Sequence, residues 1–201
     1  WGDLHPLIQE LRQRLPAAPL VLTADATAHQ LLWSGRAYRA GVRAVLLDGQ
    51  AMQPLLRSAL TCPDSLADDV VDWLMMRRVR LTPTIASLLR EIFLRAREAP
   101  DLTTLLAEAK LAESSARFRL HKRLLPTPSR WFQVARAVHT VLRLQAEPDK
   151  PLLRIAHDFG YADHSALSQL VYRAFGIRPG AIRGTLGWEW LMYRWLRRLP
   201  E

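Results

Sequence analysis

Helix-breaking residues set the scale of what the second half of this chain can form. Pro83, Pro100, the pair Pro126 and Pro128, Pro148, Pro151, Gly160, Gly176 and Pro179 interrupt stretches whose apolar residues recur every three to four positions. Leu88, Leu89, Ile92 and Phe93 make one such stripe. Segments this short are marginal as isolated helices, so they must pack on one another around a shared core. The spacing predicts helices beginning at Pro83 and over 102–109, 113–124, 129–145, 152–158 and 163–175. One more turn is expected over 179–184 and a last helix over 187–199. Asp101 and Asp163 stand where a side chain can accept hydrogen bonds from the free amides of a helix start.

The first part reads differently. Leu4, Leu7, Ile8 and Leu11 mark a helix that Pro16 and Pro19 end. Pro19 to Ala24 and Val42 to Leu47 are short apolar runs of strand length, separated by a helix over 26–40 with Gly41 as its stop. A further helix runs from Pro54 to Leu60. Strand, helix, strand implies parallel pairing through a right-handed crossover. The expected organisation is a partial α/β segment over 1–60 and a connector over 61–83 with a short helix around Val70 to Met76. A helical domain over 84–184 and a C-terminal helix over 185–201 follow.

Charge separates the halves. Of the net +9, residues 1–82 contribute +1 and residues 83–201 contribute +8. Such asymmetry points to an acidic polymer or surface as the partner of the second half. Cys62 is the one cysteine, which excludes an internal disulfide and a cysteine-based zinc site and suits a reducing compartment. No apolar run approaches the roughly 18 residues of a membrane span, and no signal peptide is visible. The start on Trp1 suggests that something precedes it. The six histidines lack metal-ligand spacing and no glycine-rich phosphate loop is present. No enzymatic activity, catalytic residue, metal or cofactor is expected.

A loose internal repeat runs through the helical half. Each copy is a short helix, a tight turn and a second helix, over 102–124 and again over 152–175, with the long helix 129–145 between them. In the second copy, Ile155-Ala156, Gly160-Tyr161, Asp163, Ser165 and Leu167 lead to Phe175-Gly176 and Pro179. This pattern resembles the AraC/XylS family of transcription regulators. The resemblance covers roughly 84–184, with Trp131 and Arg136 at an aromatic and an arginine position of the linker helix. The first copy departs from the family: Ala112 replaces a serine cap, Leu125 a turn glycine, and Arg119 an apolar residue. In the second copy Gln169 stands at a commonly basic position.

The resemblance implies a mainly α fold with two helix-turn-helix units on a long linker helix, and double-stranded DNA as partner. By position, the first unit would offer Ser114, Arg117, Phe118, His121 and Lys122 to DNA. The second would offer His164, Ser165, Ser168, Gln169, Tyr172 and Arg173. Arg can bridge guanine O6 and N7, Gln can bridge adenine N6 and N7, and apolar groups can touch the thymine methyl. Arg130, with Arg123, Arg154, Arg178 and Arg183, is better placed on phosphates.

Leu11-Arg12, Leu15-Pro16, Pro19 to Ala24 and Ala40 to Leu47 resemble the latter part of a response-regulator receiver domain. The strands that hold that family's acidic pocket are missing, and Asp48-Gly49 stands where a Lys-Pro pair is expected. Asp3 and Asp25 read as helix-start or surface acids rather than phosphoacceptors. In the tail, Trp188, Leu191, Met192, Trp195, Leu196 and Leu199 make an apolar stripe. It suits packing on the chain's own core, a partner surface or a membrane surface, own-core packing being the commonest outcome.

The expectation is a cytoplasmic, sequence-specific regulator whose two recognition helices enter successive major-groove segments, with RNA polymerase and a second copy as further partners. The alternatives are a protein-interaction module that keeps the helical fold without reading sequence, and the output part of a phosphorylation-controlled regulator.

Overall fold

The structure is a computed structural model that describes residues 4–25, 28–47, 52–63, 65–184 and 187–199. The described residues are mainly α, with twelve helices and one two-stranded sheet. The chain divides into two units, Trp1–Asp64 with Thr185–Glu201, and Ser65–Gly184.

In the first unit, α1 (Leu4–Arg14), β1 (Val21–Ala24), α2 (Ala28–Arg39), β2 (Ala44–Leu47) and α3 (Met52–Thr61) follow in order. β1 and β2 pair in parallel, Val21 opposite Ala44 and Ala24 opposite Leu47, as strand-helix-strand requires. Ile8 of α1 packs with Ala37, Ala40 and Val42 in a small apolar cluster. Arg12 donates from Nη1 to the Ala40 carbonyl at 3.1 Å. Gly41 follows at φ +90°, where a side chain would be strained, and a Cβ there would also displace the Arg12 guanidinium. Asp25 is exposed just past β1, whereas Asp3 and the pair Asp48-Gly49 lie outside the described residues.

The second unit is wholly helical. It comprises α4 (Leu66–Met76), α5 (Pro83–Arg95), α6 (Leu102–Glu108), α7 (Glu113–His121), α8 (Pro128–Ala146), α9 (Leu152–Asp158), α10 (His164–Phe175) and α11 (Pro179–Ile182). α4 buries Val70, Val71, Trp73 and Leu74 and packs on α5. The long helix α8 is the spine, touching α5, α6, α7, α9, α10 and α11. It buries a residue on nearly every turn face, and Trp131 meets Phe93 edge-on at 6.4 Å between ring centroids. His139 adds a polar tie, its Nε2–H donating to the Phe93 carbonyl at 2.7 Å. Burial holds the His139 imidazole below its ordinary pKa, with Arg97 adding to the effect.

α7 ends three residues sooner than its apolar pattern suggests, because the chain turns left-handed at Leu124, φ +55°. The sequence comparison places the missing turn glycine at Leu125, but the strained residue is Leu124. Leu125 N–H bonds back to the Leu120 carbonyl at 3.0 Å, closing the turn across Leu124. Leu124 is 92% exposed, so its side chain gives up little packing if removed. Leu124→Gly should therefore raise stability by about 0.5–1 kcal/mol. The left-handed cost of about 1–2 kcal/mol is partly offset by the greater freedom of glycine in the unfolded chain. The check is the urea midpoint at unchanged slope; an unchanged or lowered midpoint contradicts it.

The chain returns to the first unit as α12 (Trp188–Leu196). Trp188, Leu191, Met192 and Trp195 are buried, so most of the apolar stripe is covered rather than presented. Glu189 of α12 accepts from Arg43 at 2.6 Å, with both side chains about 8% exposed. The same guanidinium lies 4.9 Å over the Trp188 ring.

Candidate nucleic-acid interface

The two halves of the repeat share one turn construction. At the end of α6, Lys110 takes φ +55°, its N–H bonds to the Ala107 carbonyl, and Leu111 N–H bonds to the Leu106 carbonyl at 2.8 Å. At the end of α9, Gly160 takes φ +74°, its N–H bonds to the His157 carbonyl, and Tyr161 N–H bonds to the Ala156 carbonyl at 3.0 Å. Both turns satisfy the orphan carbonyls of a helix end and redirect the chain into a second helix. Glycine holds the position without strain in one copy and lysine occupies it in the other. Aligning Lys110 with Gly160 in the sequence repeat would have found this.

From that turn the copies part by one residue. α6 and α9 are fifty positions apart, whereas the buried pair Ala116 and Leu120 of α7 answers to Leu167 and Val171 of α10, fifty-one positions on. The extra residue lets Asp163 serve as a cap, its Oδ1 accepting from Ser165 N–H at 2.6 Å and Ala166 N–H at 3.0 Å. Those amides hold the Asp163 carboxyl below the usual carboxylate range. The corresponding residue before α7 is Ala112, whose methyl cannot accept a hydrogen bond. Asp101 caps α6 in the same manner as Asp163, accepting from Thr104 N–H at 2.8 Å.

With α7 and α10 held on their apolar faces, the opposite faces are open. Ser114, Arg117, Phe118 and His121 recur along α7 at i, i+3, i+4 and i+7, and all four are exposed. Ser165, Ser168, Gln169 and Tyr172 recur along α10 at the same spacing, Ser168 half-buried and the others exposed. Lys122 is exposed just past α7, and His164 and Arg173 are exposed on α10. The structure thus gathers the expected residues into one face on each helix. Several are already engaged locally. Arg117 pairs with Glu113 at 2.8 Å, Ser168 Oγ donates to the His164 carbonyl at 2.7 Å, and Arg173 reaches Gln169 Oε1 at 3.5 Å. These are exposed contacts, which a charged partner can replace at little cost.

Arg130 is exposed on the first turn of α8, a helix that Thr127 caps by accepting from the Arg130 N–H at 3.4 Å. Arg119, Arg123, Arg154 and Arg178 are also exposed. Arg183 is placed otherwise. It is half-buried, and its guanidinium donates to the carbonyls of Glu147, Pro148 and Lys150, holding the loop between α8 and α9. A charged residue near a helix end reads as a surface cation in sequence; here the loop's carbonyls claim it.

Arg136 is the residue whose role the sequence did not disclose. It lies in the middle of α8, about 7% exposed. Nη1 donates to the Ala99 carbonyl at 2.6 Å, Nη2 to the Phe159 carbonyl at 2.5 Å, and Nε to the Tyr161 hydroxyl at 3.2 Å. Its guanidinium also lies 5.1 Å over the Tyr161 ring. One side chain therefore ties the entry to the first helix-turn-helix and the turn of the second to the same spine.

What the faces can do chemically follows from their inventory: guanidinium, amide, hydroxyl, imidazole and phenyl groups within a cationic surround. Among the described residues no three His, Cys, Asp or Glu side chains gather as metal ligands, and no helix is long and apolar enough to cross a membrane. Comparison with curated proteins and with solved structures gave no match. Residues 105–185 match the family model of a helix-turn-helix domain. That segment runs from within α6 through the end of the second copy and supports the AraC-type resemblance there; it does not reach the strands of the first unit, where the receiver-like reading gains no support. This part of the chain is similar to a helix-turn-helix domain.

Proposed function

We propose that this protein is a sequence-specific DNA-binding transcription regulator, with α7 and α10 as recognition helices. The observation that carries the reading is the pair of exposed polar faces, at matching spacing, on the second helices of two units fixed to one spine. In this reading Arg117, Gln169 and Tyr172 are among the base contacts, alongside Ser114, Phe118, His121, His164, Ser165 and Ser168. Lys122, Arg130 and Arg173, with the neighbouring arginines, neutralise phosphates, which position the protein without specifying sequence. α8, at about 1.5 Å per residue, is long enough to set the two helices toward adjacent turns of one duplex.

The test is titration of a labelled duplex of about 30 base pairs at 50 and 200 mM salt. Neutralising four or more phosphates predicts at least about a hundredfold weaker binding at the higher salt. Lys122→Ala should weaken binding to all sequences and reduce the salt slope by about 1, whereas Gln169→Ala should relax sequence preference and leave the slope unchanged. Binding that is indifferent to salt, or absent at low salt, overturns the reading and favours a protein-interaction module.

A further inference from the structure

We infer that Phe118 is a specificity-determining residue of the first recognition helix and reads the 5-methyl group of a thymine; the inference rests on the DNA-binding reading above. Phe118 is 67% exposed, at the centre of a face whose other members are Ser114, Arg117 and His121. A phenyl ring in that position gains nothing from water and forms no hydrogen bond, so what it contributes to binding comes from apolar contact. Beside it an open groove continues over Leu125 and Thr127 to the start of α8, which extends the apolar surface around the ring.

The rim decides what such a surface can meet. Arg117 and His121 line the groove with one acid, Glu113, Lys122 is exposed directly after His121, and Arg130, whose N–H bonds to the groove-lining Thr127, is exposed at the start of α8. An apolar centre in a cationic frame fits a partner that is anionic at its edges and carries an apolar group between them. A duplex has that arrangement: phosphates flank the major groove, and the thymine 5-methyl is the apolar group on its base edges. In the second copy the position equivalent to Phe118, by the register of the buried faces, is Gln169. The two helices thus place a methyl reader and an amide suited to adenine at the same point of their faces.

The experiment uses the full chain and the duplex it enriches from a random-sequence pool. Each thymine of that duplex is replaced in turn by deoxyuridine, which removes the methyl and leaves every hydrogen-bonding group in place. At one or two thymines binding should weaken about three- to fivefold, the worth of one buried methyl. Phe118→Ala should bind the thymine and deoxyuridine duplexes equally at those positions, with an unchanged thermal midpoint because the ring is exposed. Deoxyuridine effects that persist in Phe118→Ala, or none at any thymine, overturn the inference while leaving DNA binding intact. Failure to bind any duplex at low salt removes the parent reading, and this one with it.

Discussion

Replacing Arg136 by methionine should lower the stability of the helical unit by about 2–4 kcal/mol. Methionine fills a similar volume but donates nothing, so the Ala99 and Phe159 carbonyls lose their buried donors. Each orphaned acceptor costs roughly 1–3 kcal/mol, and relief from burying the guanidinium offsets part of the sum. Arg136→Lys should fare little better. An ammonium is a compact point charge and cannot span two carbonyls and a hydroxyl that a planar fork reaches at once. Hydrogen exchange followed in peptides covering 97–106 and 156–162 reads the effect locally, because two units need not unfold together. Both segments should lose protection in Arg136→Met. Protection preserved in both, or a lysine variant within about 0.5 kcal/mol of the parent, would show that the tie is idle.

The second large effect is expected in the other unit. Glu189→Ala should destabilise it by about 3–5 kcal/mol, since it removes the carboxylate that faces the Arg43 guanidinium in a site where both side chains are about 8% exposed. Arg43 Nη2 and Nε converge on one oxygen, Oε1, at 2.6 and 3.2 Å, while Glu189 Oε2 is buried without a hydrogen-bond partner. The pair is thus costly to bury and more costly to break. Removing both charges, as Arg43→Met with Glu189→Leu, should recover most of the loss. A double-mutant cycle on exchange in 40–47 and 188–196 measures the coupling, and additive losses would refute it.

The sequence made the helices legible wherever a breaker stood at the right place. Pro83 and Pro128 sit on the first turns of α5 and α8, Gly176 closes α10, and Asp101 and Asp163 cap as their positions demand. The exposed faces of α7 and α10 were readable too, because a face is a matter of spacing. What escaped depends on partners far along the chain. The resemblance marked Arg136 as an arginine position but not what it holds, and it is sealed among carbonyls whereas Arg130 is exposed. Arg183 misled for the same reason. The end of α7 escaped because leucine is an unusual choice for a left-handed turn, and no breaker marks the spot.

The placement of the three acceptors of Arg136 sets rules for exchanging parts between such domains. They come from residues 99, 159 and 161, so α7 contributes none of them and could be swapped whole without disturbing the tie. The turn after α9 is different: a graft there that omits the Tyr161 hydroxyl or shifts the Phe159 carbonyl would leave a sealed guanidinium in want of a host. Exchanges are thus freest in the first helix-turn-helix, and the spine must be carried along when the second is altered.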